Sequence, residues 1–139
     1  MTRAVLDTNA VVSALLSPEG RPALILKLAM LKQFRCYVSE SLLEEYIEVL
    51  ARAQFGWDQR RIERLIRDLR AAATLVIPRK RLRITSDPDD NKVMECALEA
   101  RADFVVTGNV RDFPARYQDV RVINPVDFLV LLASSRSGG

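Results

Sequence analysis

Apolar residues follow two rhythms along the chain. Short, nearly unbroken apolar runs read as strands: Arg3 to Leu6, Phe34 to Val38, Thr74 to Ile77, Asp103 to Thr107 around Phe104-Val105-Val106, and Val120 to Ile123. Between them the apolar positions recur at helical spacing. A helix is expected after the Pro18-Glu19-Gly20 breaker, over residues 22–32, with Pro22 suited to its first turn. Ser39 or Ser41 can cap a helix over 42–53, where Leu42, Leu43, Tyr46, Ile47 and Leu50 form one stripe. Asp58 can cap a third through Ala73, with Ile62, Leu65, Ile66 and Leu69 inward, and residues 91–100 return to the same periodicity. The basic-then-acidic stretch 79–90 reads as a loop reaching across one end of the domain. Asn124-Pro125 opens a short apolar helix, and residues 133–139 read as a disordered tail beyond a single domain over 1–132.

Short apolar strands separated by helices predict an α/β fold with a central parallel sheet covered on both faces. In such sheets, ligands bind beyond the carboxyl ends of the strands. That rule draws attention to Asp7, to the turn from Ser39 to Glu45, to Asp87 through Asp90, and to Thr107 through Asp112.

With 139 residues, the chain suits one domain, and the complete lack of His narrows its chemistry. Ser-His-Asp and Cys-His catalysis and His-rich zinc sites are excluded. Cys36 and Cys96 have apolar neighbours and no metal-ligand or redox spacing, which reads as buried thiols of a cytoplasmic protein. No apolar run is long enough to span a membrane. Polar chemistry therefore falls to carboxylates. Asp7 read alone is equally a helix or turn cap, but Glu44 and Glu45, Asp87, Asp89 and Asp90, and then Asn109 and Asp112 fall beyond the same sheet edge. Carboxylates gathered in one place repel each other unless a cation joins them, and Mg²⁺ or Mn²⁺ suits oxygen-only donors. Asp90 and Glu45 are the preferred ligands of their segments because their spacing from Met94 and Leu42 brings them toward the buried face, whereas Glu44 leans to solvent. Thr8, Asn9, Ser13 and Thr107 are polar neighbours able to orient an acid or a bound water.

The net charge of +3 conceals an uneven distribution. Arginine dominates the basic residues, and many of them lie between Arg52 and Arg83. Guanidinium groups suit phosphates, so Arg79, Arg81 and Arg111 are candidate nucleic-acid contacts, although a solvated helix face explains the rest equally well.

Taken together, Leu6-Asp7-Thr8-Asn9, Val38-Ser39 with Leu42-Leu43-Glu44-Glu45, Asp87-Pro88-Asp89-Asp90-Asn91-Lys92, and Val105-Val106-Thr107-Gly108-Asn109 resemble a PIN-domain ribonuclease. The resemblance runs over about residues 2 to 132 and is strongest to the toxin components of bacterial toxin–antitoxin systems. It implies a three-layer α/β/α domain and Mg²⁺- or Mn²⁺-dependent endonucleolytic hydrolysis of RNA. It also implies a homodimer and an antitoxin partner that covers the site and inserts an arginine. Carried over residue by residue, the acids are Asp7, Glu45 and Asp90. The family's fourth acid is replaced here by Asn109, which brings an oxygen but no charge, and Asp112 is the nearby substitute. The departure keeps open a catalytically weak or inactive RNA-binding or regulatory protein of the same fold. The arginine-lined third helix and the Phe34/Phe55/Trp57 neighbourhood are the expected dimer surface.

Other α/β enzymes fit less well. A phosphoaspartyl receiver needs an Asp after the third strand, where Ile77-Pro78-Arg79 stands. A haloacid-dehalogenase-type phosphatase needs Asp-x-Asp where the chain has Asp7-Thr8-Asn9, and no Gly-rich dinucleotide-binding turn follows the first strand.

Overall fold

The computed structural model describes residues 1–52 and 54–137. Six strands form one sheet: β1 (Arg3–Leu6), β2 (Arg35–Val38), β3 (Thr74–Leu75), β4 (Phe104–Val106), β5 (Arg116–Tyr117) and β6 (Val120–Ile123). Their order is β3-β2-β1-β4-β6-β5, and all neighbours are parallel except the antiparallel β5–β6 pair. The helices are α1 (Thr8–Leu16), α2 (Arg21–Met30), α3 (Glu40–Leu50), α4 (Gln59–Ala72), α5 (Pro88–Glu99) and α6 (Pro125–Ser137). They pack around the sheet, so the fold is the expected α/β domain. Beyond Arg3, the central strands β1 and β4 are apolar because a covered parallel sheet has no wet face: Ala4, Val5, Val105 and Val106 are wholly buried.

The chain winds from β1 out to β2 and β3, then returns to lay β4 on the other side of β1. Neighbouring strands β1 and β4 therefore lead in opposite directions at their carboxyl ends, which opens a crevice between the connections. Asp7 follows β1 and Thr107 follows β4, one on each side of that opening. The register pairs Leu6 with Val106, and the Asp7 amide donates to the Val106 carbonyl at 2.9 Å.

Several boundaries differ from the periodicity. Helix α1 was not expected, because Thr8-Asn9-Ala10-Val11-Val12 mixes polar and β-branched residues without a clear stripe; its signal is the cap, Asp7, which accepts from the Thr8 amide. Helix α5 starts at Pro88 under an Asp87 cap, three residues before Asn91. Helix α3 starts at Glu40, with the Ser39 hydroxyl accepting from the Leu42 amide, and ends at Leu50; the expected end, Ala53, lies outside the described residues. Only Thr74 and Leu75 of the third expected strand are paired as a strand, and the two-residue β5 carried no pattern. Helix α6 continues to Ser137, so residues 133–137 are helical and not a disordered tail; residues 138 and 139 lie outside the described residues.

The stretch 79–85 does not cross an end of the domain. It lies along α5 as a strap, pinned by side chains at helical spacing. The Arg79 amide donates to Glu99, the Leu82 amide to Glu95, and the Ile84 and Thr85 amides to Asn91, at 2.7–3.0 Å. Phe34 is also misplaced as part of a dimer surface. It is buried, its ring 5.1 Å from that of Phe128 and edge-on to it. Phe55 and Trp57 stack at 4.7 Å around Gly56, whose φ of 62° explains the glycine there. Both cysteines are buried free thiols, pushed up to about 12 by desolvation. No helix among the described residues is long and apolar enough to cross a membrane.

Candidate functional site

Asp7 is 5% exposed and held on both carboxyl oxygens. Oδ1 accepts from the Thr8 amide at 2.8 Å, and Oδ2 accepts from the Thr107 hydroxyl at 2.8 Å. Thr107, wholly buried, has one proton to give and gives it to Asp7. Its oxygen accepts from Asn9 Nδ2 and from the Asn109 amide, both at 3.0 Å. Asn9 Oδ1 in turn accepts from the Gly108 amide at 3.0 Å. One network thus stitches the start of α1 to the turn after β4 across the crevice. From below, the buried Tyr46 hydroxyl donates to the Leu6 carbonyl, fixing the peptide just before Asp7 to the helix that carries Glu45.

Asp7, Glu45, Asp90, Asn109 and Asp112 all line one cleft of about 350 Å³. Thr8, Asn9 and Ser13 line it from α1, while Thr107 sits beneath as the anchor of Asp7. Glu45 is 5% exposed and Glu44 is exposed, as the helical register predicts. Asp87, besides capping α5 through the Asp89 amide, also faces the cleft. Arg111 is exposed on the 3₁₀ turn Val110–Asp112, and Arg79 and Arg81 are exposed on the strap.

Arg52, Asp89 and Lys92 were not among the candidate site residues, although Asp89 belongs to the acids expected beyond the sheet edge. Arg52 lines the cleft with Glu45 and Val49, a spacing of four and then three residues that carries one face of α3 past its end. Asp89 also lines it, and Lys92 bridges it to Glu45, with Nζ 3.1 Å from Asp89 and 3.9 Å from Glu45. The i,i+3 spacing of Asp89 and Lys92 was the available signal.

The acids are electrostatically strained. Burial raises Asp7 above the ordinary carboxylate range, opposed by its Thr107 and Thr8 hydrogen bonds and reinforced by Asp112 and Asp87. Burial pushes Asp90 up to about 7, with repulsion from Asp7, Asp87, Asp112 and Asp89 adding to it. Glu45 is pushed up to about 7 by burial and by Asp89, with which it shares a hydrogen bond, while Lys92 pulls the other way.

The site thus divides in two. Asp87 and Asp112 repel both Asp7 and Asp90, and Asp7 also repels Asp90, whereas Glu45 is engaged with Asp89 and Lys92. Among the described residues, no three His, Cys, Asp or Glu side chains form a group that could hold a metal ion as they stand. The chemistry of the donors still suits a hard divalent cation. All are oxygens, and the raised carboxyls of Asp7, Glu45 and Asp90 are of the kind a cation would relieve.

Comparison with known proteins bears on the same residues. The family model for the PIN domain matches residues 3–111, a span that holds Asp7, Glu45, Asp90 and Asn109. The chain is also 30% identical, over 111 residues, to the uncharacterized protein MJ1680 of Methanocaldococcus jannaschii; the match covers 77% of this chain and 70% of that protein. With the sheet order and the acid-lined crevice, these matches establish that the chain belongs to the PIN-domain family.

Proposed function

We propose that the protein is a Mg²⁺- or Mn²⁺-dependent endoribonuclease, acting as the toxin of a toxin–antitoxin pair. The observation that carries the nuclease reading is the convergence of Asp7, Glu45 and Asp90 from three separate segments on one cleft, with raised carboxyls and no histidine available for another chemistry. Asp7, Glu45 and Asp90 would hold the cation, with Asn109 or Asp112 completing its shell. A cation bound there supplies an activated water and neutralises charge on the phosphodiester.

The remaining work belongs to the chain's own side chains. Thr107 and the Thr8 amide fix both oxygens of Asp7, so this carboxylate needs no reorganisation to act as a ligand. Asn9 holds the Gly108 amide and with it the turn that presents Asn109. Lys92, 3.9 Å from Glu45, offsets part of the charge on that carboxylate. Arg111, Arg79 and Arg81 contact RNA phosphates from exposed positions. An antitoxin would silence the enzyme by covering the cleft and placing an arginine among the acids, where the carboxylates demand positive charge. A homodimer accompanies this reading as part of the same family resemblance.

The experiment is cleavage of a single-stranded RNA by the purified protein with Mn²⁺, with Mg²⁺ and with EDTA. Cleavage should require the metal, and Asp7→Asn and Asp90→Asn should each reduce it by at least about a hundredfold. Cleavage that persists in EDTA, or in both variants, would remove the basis for the reading. One observation favours a second reading, an RNA-binding or regulatory domain without chemistry: Asn109 stands where the family has an acid. RNA bound but left intact at saturating Mn²⁺ would decide for it.

A further inference from the structure

We propose that the acid-lined cleft is the middle of a groove open at both ends, which holds one RNA strand running through it. Arg52 grips the backbone on one side of the acids, and Arg111 and Arg83 grip it on the other. The inference rests on the ribonuclease reading and goes beyond it by giving the strand a path. The bond presented to the acids is internal, and no strand end is needed.

A second cleft, of about 600 Å³, adjoins the first. The two share Asp87, Asp90 and Asp112, so these carboxylates are the wall between them and not the floor of a blind pocket. Of these two clefts, Arg52 lines the first and Arg111 the second, which sets one guanidinium to each side of the acids. Both are exposed, and neither has an ion-pair partner among the described residues, although carboxylates surround them. By contrast, Arg70 and Lys92 are engaged with acids. Unpaired guanidiniums on either side of an acidic centre suit a ligand that is itself a chain of negative charges.

The outer wall of the second cleft is the end of the strap, at Ile84, Thr85 and Ser86. Because Glu95 and Asn91 hold the strap backbone, Leu82 and Ile84 are half-buried while Arg81 and Arg83 stay exposed. A strand leaving by this cleft meets Arg83 first and Arg81 after it, on a backbone already ordered. Clefts of this size accept nucleotide-sized groups, and a charged groove that follows the backbone is how single strands are held without regard to sequence.

The test is fluorescence anisotropy with a linear 12-nucleotide oligouridylate and with its circular form, in Ca²⁺, across a range of salt. The circle should bind about as tightly as the linear strand. Arg52→Ala and Arg111→Ala should each weaken binding by about three- to tenfold and each lower the salt slope by about 0.7, while Arg101→Ala, beyond the far end of α5, should change neither. An Arg52→Ala or Arg111→Ala protein that binds like wild type would overturn the through-going groove and leave the endoribonuclease reading standing, whereas a circle that fails to bind while the linear strand binds would count against both. Failure of the wild-type protein to bind either oligonucleotide would remove the RNA reading as well.

Discussion

Asp90 shows how far a single side chain can work against the fold that carries it. Its carboxyl is pushed up to about 7, and so is that of Glu45, while both titrate near 4 in an unfolded chain. Between about pH 4 and pH 7, the folded protein therefore holds more protons than the unfolded one. The stability these protons confer is complete below about pH 4 and is lost as pH rises through 7. In metal-free buffer, the melting temperature should accordingly fall from pH 5 to pH 8, and Asp90→Asn should flatten that fall and melt higher than wild type at pH 8. A wild-type melting temperature that climbs over this range in calorimetry would contradict the account of the acids. These residues were legible to different degrees. The choice of Glu45 over Glu44 followed from register alone, because a helix face is fixed by spacing from Leu42. The pairing of Glu45 with Asp89 and Lys92 did not, since it joins α3 to α5 and no local period encodes a contact between helices. Arg52 was within reach of the same register argument but lies just past the helix end, where the periodicity stops being a guide.

At the level of elements, the strands and the helices with strong stripes could be read, and the elements held by other means could not. Helix α4 announces itself through Ile62, Ile66 and Leu69 on one face and arginines on the others. Helix α1 and the early start of α5 depend on Asp caps that are also candidate functional residues; the capping role of Asp7 was readable, but no apolar stripe followed it to mark a helix. The strap was invisible as an ordered element because its hydrogen bonds go to side chains of α5 rather than to a strand. That arrangement makes a sharp expectation. Glu95→Ala removes the acceptor of the Leu82 amide, a hydrogen bond to a charged group of about 1.5–3 kcal/mol. Hydrogen exchange at Leu82 should speed up by roughly tenfold to a hundredfold, with little change at the buried amides of β4. Unchanged exchange at Leu82 would mean the strap is held by the half-buried Leu82 and Ile84 side chains instead.

Across the whole molecule, the small net charge of +3 is the sum of an acidic centre and a basic surround. The sheet order explains the centre. With β1 and β4 adjacent and their connections diverging, acids distant in sequence meet at one opening, and family membership agrees with that topology. Within that opening Glu45 is engaged with Asp89 and Lys92 and not with Asp7 and Asp90. On the proposed metal-dependent reading, a hard divalent cation draws these three acids together. Crystals soaked in Mn²⁺ test it most directly. An anomalous peak bound by Asp7, Glu45 and Asp90, with Glu45 released from Lys92, is the predicted result. Saturating Mn²⁺ that leaves no peak in the cleft, or one held without Asp7 and Asp90, would contradict the claim.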